Sequence, residues 1–115
     1  MPASPLKLRI KLCEFAALGP GKVDLLEAVD RCGSITQAAK DQGMSYRRAW
    51  LLLDEMNRAL ASPVVVAATG GKRGGGALVT DTGRQVIDIY RRVQRKTEQA
   101  IRLELDELRT LLAQA

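Results

Sequence analysis

Residues 34–61, SITQAAKDQGMSYRRAWLLLDEMNRALA, decide the fold that the sequence predicts. Ser34 is a favoured N-cap for a first, short helix, and Gly43 stands just beyond the position where that helix would end. The same preference makes Ser45 the N-cap of a second, longer helix. We expect the two helices at residues 35–42 and 46–61. A short helix, a turn that contains glycine and a longer helix are typical of a helix-turn-helix.

The second helix has an apolar face and an exposed face when its residues are placed at about 100° intervals. The apolar residues expected in the core are Ala49, Leu52, Leu53, Met56 and Leu60. Arg47, Arg48 and Leu51 project outward from the first two turns. In a helix-turn-helix these turns enter the major groove of DNA, where arginine pairs with guanine and an apolar side chain contacts the thymine methyl. Ordinary solvated side chains are the alternative interpretation.

Three other residues of this helix have structural explanations. Asp54 and Arg58 lie four residues apart on the exposed face and are expected to form a helix-stabilising ion pair. Trp50 lies at the edge of the apolar face, where packing is its expected role, although its indole N–H could also reach a phosphate.

A glycine-rich stretch, TGGKRGGG at residues 69–76, lies between two short apolar runs. The runs, at residues 64–68 and 77–79, predict two strands and therefore a β-hairpin, which after a helix-turn-helix is a wing. Lys72 and Arg73 at its tip would supply charge for phosphates or for a minor groove. A flexible turn would also explain the glycines. The stretch lacks the P-loop pattern, so nucleotide binding is not expected.

Regular patterns also occur on both sides of this region. Residues 6–12, LKLRIKL, alternate strictly between apolar and basic side chains and predict a half-buried strand. A helical pattern from Val23 stops near Gly33, and Thr80 or Asp81 is expected to cap a last helix that extends to about residue 112. In that helix, four residues are spaced to pack on the core: Val86, Ile89, Tyr90 and Val93. Farther on, Ile101, Leu105, Leu108 and Leu112 recur as a heptad seam for a second copy of the chain, and a tail that folds back on its own strand is the alternative.

Composition limits the classes of function. The net charge is +5, and residues 44–96 hold ten Lys or Arg against four Asp or Glu, a net charge of +6. Such a block suits a polyanion such as nucleic acid, and a solubilising surface is the alternative. The chain has no histidine, and Cys13 and Cys32 lack metal-ligand spacing and are expected in the core. We therefore expect no catalytic residues, no metal and no cofactor.

Localisation follows from what the sequence does not contain. No apolar run approaches the roughly 20 residues that cross a bilayer. The first residues, MPASPLKLRIKLCEF, lack the apolar region of a secretory signal. The sequence therefore predicts a cytoplasmic protein without membrane contact.

Several segments resemble the N-terminal DNA-binding domain of ModE-type molybdate-responsive transcription regulators. They are GSITQAAKDQGMSYRRAW at 33–50, LLLDEMN at 51–57 and ATGGKRGGGALVT at 68–80, together with Gly83. LysR-type regulators are similar in a looser way. The resemblance extends over roughly residues 20–95. It implies a winged helix-turn-helix homodimer, joined through a long helix, that binds palindromic operator DNA. The family's C-terminal oxyanion-binding domain has no counterpart before Ala115, so molybdate sensing is not implied and a separate effector-binding protein is a conceivable partner.

The sequence thus predicts an α+β, mainly helical fold and a sequence-specific, non-enzymatic DNA-binding transcription regulator. Residues 1–80 would form the winged helix-turn-helix, with the wing at about 64–79, and residues 81–115 a long dimerisation helix. The expected DNA contacts are Ser34, Thr36, Gln37, Ser45, Tyr46, Arg47, Arg48, Leu51, Lys72 and Arg73. The expected dimer contacts are Val93, Ile101, Leu105, Leu108 and Leu112. The alternative is an adaptor whose basic face binds an acidic protein.

Overall fold

A computed structural model describes residues 4–68 and 76–113. Its elements, in chain order, are β1 (Ile10–Cys13), β2 (Ala16–Leu18), α1 (Pro20–Cys32), α2 (Ile35–Asp41), α3 (Tyr46–Ala59), β3 (Val65–Ala68), β4 (Gly76–Val79), α4 (Asp81–Ala100) and α5 (Arg102–Thr110). Strands β1 and β2 form one antiparallel pair, and β3 and β4 form another. The prediction of a mainly helical α+β fold is confirmed.

Local chemistry sets the helix boundaries. Helix α1 ends at Gly33, which adopts a φ of 68° that favours glycine, and Gly43 has a φ of 67° in the turn between α2 and α3. The Ser34 hydroxyl accepts a hydrogen bond from the Gln37 N–H at 3.2 Å. The Ser45 hydroxyl accepts one from the Arg48 N–H at 3.1 Å. These two predicted N-caps are confirmed, and they fix where the helix-turn-helix begins and turns.

The cap of α3 can be tested on its own because Ser45 is exposed and fills no core space. We expect Ser45→Ala to lower the free energy of unfolding by about 1 kcal/mol, since the Arg48 N–H loses its side-chain partner. Urea denaturation followed by circular dichroism measures this change. Ser45→Asn restores an acceptor and should stay close to the wild type. Equal losses in the two variants would contradict a capping role.

The core is built around α1. Five of its side chains are buried: Val23, Leu25, Leu26, Ala28 and Val29. Small Ala38 and Ala39 on α2 are also buried and let that helix approach closely. Buried Tyr90 brings α4 to the same core and donates from its hydroxyl to the Leu8 carbonyl at 2.6 Å. Burial raises the pKa of Tyr90, so the phenol stays protonated and keeps this hydrogen bond.

An ion-pair cluster also joins α1 and α4. Arg91 donates to Asp24 Oδ1 at 2.7 Å and to Glu27 Oε1. Burial of the Arg91 guanidinium by itself lowers the pKa of Arg91. The hydrogen bonds to Glu27 and Asp24 outweigh this effect of burial, so the pKa of Arg91 is raised. Arg84 adds an exposed pair with Asp30 at 3.1 Å. These contacts orient α4 across α1.

The amino-terminal prediction of one strand over residues 6–12 is wrong in its bounds. Strand β1 starts only at Ile10 and pairs with β2, which the sequence pattern did not indicate. A register shift between Lys11 and Cys13 ends the alternation, and Leu12 is 36% exposed as a result. The two cysteines were also expected in the core, yet Cys13 is only half-buried and Cys32 is exposed.

The last helix differs from the single long helix that was predicted. Its N-cap is Thr80, whose hydroxyl accepts from the Gly83 N–H at 3.0 Å. The helix is interrupted at Ile101, with φ −111° and ψ 18°, which separates α4 from α5. One turn earlier the Thr97 hydroxyl donates to the Val93 carbonyl at 2.6 Å, a contact of the kind that bends helices. Backbone hydrogen bonds continue on both sides of Ile101, so the interruption is local.

The apolar residues of α4 and α5 divide between the core and the surface. Val86 packs against the core as predicted, and so does Ile87, but Ile89 is 51% exposed and its expected core contact is wrong. Of the heptad seam, Ile101 and Leu105 are half-buried, whereas Leu108 and Leu112 are largely exposed. Among the described residues, no helix has both the length and the apolar character to cross a bilayer.

Candidate nucleic-acid interface

Helix α3 presents the exposed face that its sequence predicts. Its inward side buries Ala49, Leu53 and Met56. Arg47, Arg48 and Leu51 lie on the surface of the first two turns, and Leu51 is 45% exposed. Within residues 4–68 and 76–113, neither arginine takes part in a salt bridge. Two guanidinium groups are therefore available to an anionic partner.

Helix α2 directly precedes α3 and packs against it. Thr36 and Gln37 are exposed in the first turn of α2. Ser34 and Ser45 were also expected to contact DNA. In each of them the hydroxyl oxygen accepts a hydrogen bond from a backbone N–H of its own helix, so capping explains both residues without any ligand. In the described part of the chain, Thr36, Gln37 and Lys40 are thus the α2 side chains whose polar groups form no hydrogen bond or ion pair.

Helix α3 is fixed to the wing along one side. The Asn57 amide oxygen accepts from the Val64 N–H at 2.7 Å and from the Val65 N–H at 3.4 Å, and its amide nitrogen donates to the Val65 carbonyl at 3.2 Å. Asn57 was not predicted as a functional residue, because nothing in a helical pattern signals a polar side chain bonded to a later strand. These bonds set the position of the wing relative to α3.

The other side of α3 faces the β1–β2 hairpin. Glu55 pairs with Lys22 at 3.5 Å, and Lys22 also donates to the Ala17 carbonyl at 2.7 Å. Arg58 forms the predicted pair with Asp54 at 3.0 Å, and its guanidinium lies 5.0 Å from the centre of the Phe15 ring. The carboxyl-terminal half of α3 is therefore held by internal contacts, in contrast to its first two turns.

The base of the wing is described, and its tip is not. Strand pairing runs from Val65 opposite Val79 to Ala68 opposite Gly76. The Thr80 N–H donates to the Val64 carbonyl at 2.9 Å, and the Ala77 N–H donates to the Gly33 carbonyl at 3.0 Å, so the hairpin is anchored to the end of α1. The predicted tip contacts, Lys72 and Arg73, lie outside the described residues.

An exposed aromatic pair completes the site. Tyr46 is 53% exposed and Trp50 is 47% exposed. Packing was the expected role of Trp50 at the edge of the apolar face, but half of its indole is left uncovered. The five predicted dimer contacts lie elsewhere: Val93 is on α4, Leu105 and Leu108 are on α5, Ile101 lies between these helices and Leu112 follows α5.

Three helices followed by a β-hairpin, with a capped third helix that exposes two arginines, define a winged helix-turn-helix. In fold the chain is similar to the crystal structure of the CbnR DNA-binding domain in complex with DNA, with a TM-score of 0.58 over 76% of this chain and 94% of that one. The two are 15% identical, so the likeness concerns the fold. In sequence the chain is a homologue of the N-terminal domain of ModE-type regulators.

The relatives that carry this assignment are curated bacterial proteins. The chain is 36% identical over 107 residues to the transcriptional regulator ModE of Haemophilus influenzae, a match that covers 93% of this chain and 42% of that protein. It is 42% identical over 83 residues to the DNA-binding transcriptional dual regulator ModE of Escherichia coli K12, covering 72% and 32%. It is 49% identical over 75 residues to the molybdenum-pterin-binding protein MopB of Rhodobacter capsulatus, covering 65% and 28%. The chain spans less than half the length of these relatives, and no protein-family model matches it.

Proposed function

We propose that this chain is the DNA-binding part of a transcription regulator and that it reads double-stranded DNA with the first two turns of α3. The observation that carries the proposal is the pair of exposed arginines, Arg47 and Arg48, at the free end of a helix whose other half is held by internal contacts. The ModE relatives support the same function.

Each part of the surface has a chemical role in this proposal. Arg47 and Arg48 donate to the O6 and N7 acceptors of guanine in the major groove, and Leu51 covers a thymine methyl. Thr36 and Gln37 at the start of α2 bind the flanking phosphates, near the caps Ser34 and Ser45. Lys72 and Arg73 of the wing are assigned on sequence grounds to the backbone or the minor groove. No step of this function requires catalysis or a cofactor.

A homodimer is the assembly that we propose for DNA binding. Residues 1–80 form the DNA-binding unit and residues 81–115, which include α4 and α5, form the dimerisation segment, which uses Val93, Ile101, Leu105, Leu108 and Leu112. Leu108 and Leu112 are 60% and 69% exposed, and a second copy would cover them. The two α3 helices would then read half-sites about 34 Å apart, one turn of B-DNA.

The test of DNA reading is Arg47→Ala. On a duplex selected from random DNA, we expect the variant to lose about tenfold or more in affinity, because a bidentate arginine–guanine contact supplies about 1–3 kcal/mol of discrimination. The loss should be concentrated at one base pair of each half-site. A mobility-shift titration with single-base variants of the duplex measures it, repeated at two salt concentrations to record the counterion release of phosphate contacts.

The matched control is Arg92→Ala, which removes an exposed α4 arginine that pairs with Asp88 at 3.2 Å. It should leave the base preference unchanged. Unselective binding by the wild type, or no binding at all, would contradict the proposal and favour the adaptor that binds an acidic protein.

A further inference from the structure

We propose that Tyr46 and Trp50, together called the aromatic flank, hold the sugar–phosphate strand that separates the groove read by α3 from the groove approached by the wing. The inference rests on the proposed function. It assigns a contact with the DNA backbone, whereas Arg47 and Arg48 are proposed to contact the bases. Its ligand is one backbone strand of duplex DNA, recognised through a phosphate and its neighbouring deoxyribose.

The aromatic flank is exposed although the chain has few aromatic residues with which to build a core. Aromatic residues make up 3% of the sequence. Tyr90 is fully buried, whereas Phe15 is 50% exposed and lies next to the Arg58 guanidinium. Tyr46 and Trp50 are about half exposed, and their spacing of four residues places them side by side on α3. Two large rings thus form a continuous surface that the fold itself does not cover.

The direction of the aromatic flank follows from Asn57. Seven residues make about two helical turns, so Trp50 and Asn57 point to nearly the same side of α3. Asn57 is hydrogen-bonded to Val64 and Val65 at the base of the wing. The opposite side of α3 carries Glu55, which pairs with Lys22 next to the β1–β2 hairpin. The aromatic flank therefore faces the wing, between it and the exposed face that holds Arg47.

The chemistry of this position selects a phosphate backbone. When α3 occupies the major groove and the wing reaches the adjacent minor groove, the strand between the two grooves passes through the gap that the aromatic flank lines. The indole N–H of Trp50 is only a donor, and the phenol of Tyr46 can donate as well, so both suit anionic phosphate oxygens. Their ring faces suit the apolar edge of deoxyribose. The positive charges of Arg47 and Arg48 draw the anionic strand to the same place.

Trp50 is the single tryptophan of the chain, so its fluorescence reports on this contact alone. In the wild type, acrylamide quenching of Trp50 should fall about threefold when duplex DNA saturates the protein, because the exposed half of the indole becomes covered. The anisotropy of a labelled duplex measures binding independently in the same titration. A double variant that combines Trp50→Phe with Leu111→Trp moves the reporter to the C-cap of α5, where Leu111 is 81% exposed, and should show no DNA-dependent protection.

The phosphate contact is tested by Trp50→Phe, which keeps a ring and removes the N–H donor. We expect affinity to fall about three- to tenfold, the usual range for one hydrogen bond in solution. Neutral methylphosphonates, introduced at one backbone position at a time, should weaken the wild type at each contacted phosphate, and at one of these positions the effect should be clearly smaller in Trp50→Phe. A merely structural role would lower the affinity of the variant for every duplex by the same factor.

The outcomes separate this inference from the proposed function. Normal duplex binding with unchanged quenching of Trp50, or equal methylphosphonate effects in the wild type and the variant, would overturn the role of the aromatic flank and leave the reading role of Arg47 intact. Failure of the wild type to bind any duplex would overturn both. Thermal unfolding of Trp50→Phe should match the wild type, since the side chain is half exposed.

Discussion

Gly83→Ala is expected to destabilise the fold by about 3 kcal/mol or more, although alanine is the better helix former by about 1 kcal/mol. A Cβ on Gly83 would lie 2.6 Å from Val79 Cγ1 and closer still to the Val64 carbonyl oxygen. Real Cβ atoms do not approach other atoms so closely, so the backbone must move. The substitution therefore forces the first turn of α4 away from the base of the wing.

The neighbours of Gly83 have little freedom to give way. Val64 and Val79 are 0% and 4% exposed. The Val64 carbonyl already accepts from the Thr80 N–H at 2.9 Å, and the Thr80 hydroxyl donates to the Pro63 carbonyl at 2.6 Å. Any backbone shift that relieves the clash with the added methyl group breaks one of these hydrogen bonds or opens the core.

The same substitution at Gly21 is the matched control. Gly21 also lies in the first turn of a helix, but a Cβ there would meet no atom within 4 Å. Gly21→Ala should be neutral or stabilise the protein by about 0.5–1 kcal/mol, because it restricts the unfolded chain. Urea denaturation of both variants gives the comparison. Similar changes in the two would rule out a steric cause at Gly83.

Asn57→Ala is the second substitution with a large expected effect, a loss of about 2–4 kcal/mol in the free energy of unfolding. The Val64 and Val65 N–H groups and the Val65 carbonyl would lose their side-chain partner. Val64 and Val65 are 0% and 7% exposed, so water cannot readily replace the amide. Leaving buried polar groups without partners costs more than the hydrogen bonds contribute.

Chemical denaturation of Asn57→Ala should be compared with Asp54→Ala, one turn earlier on the same helix. Asp54 forms only the exposed pair with Arg58, and its loss should change stability by about 0.5 kcal/mol or less. If Asn57→Ala were no more harmful than Asp54→Ala, the amide would not be what anchors the wing to α3.

The features that sequence alone predicted are those governed by short-range chemistry. Ser34 and Ser45 cap the helices that follow them, Thr80 is the one of the two expected residues that caps α4, α1 ends at Gly33, and Gly43 adopts a positive φ, because each choice depends on a few neighbouring residues. The exposure of Arg47, Arg48 and Leu51 followed from helical periodicity in the same way.

Long-range packing accounts for the features that the sequence did not predict. Leu12 belongs to a regular alternation, but the register of β1 on β2 turns it outward. Ile89 has helical spacing toward the core, yet the partly buried Ile87 packs against the core in its place. The partners of Asn57 lie in a strand whose position no periodicity reveals. The DNA and dimer contacts remain predictions, since they concern molecules other than this chain.

The hydrogen bond from Tyr90 to the Leu8 carbonyl joins residues 82 positions apart, and the Ser4 hydroxyl donates to Glu98 across 94 positions. A ribosome that has synthesised residues 1–80 has made all of α1, α2 and α3 but neither of these partners. Residues 4–8 are thus translated before α1, α2 and α3 but cannot form these two hydrogen bonds until α4 has been made. The ordering of this segment therefore reports that synthesis has passed Glu98.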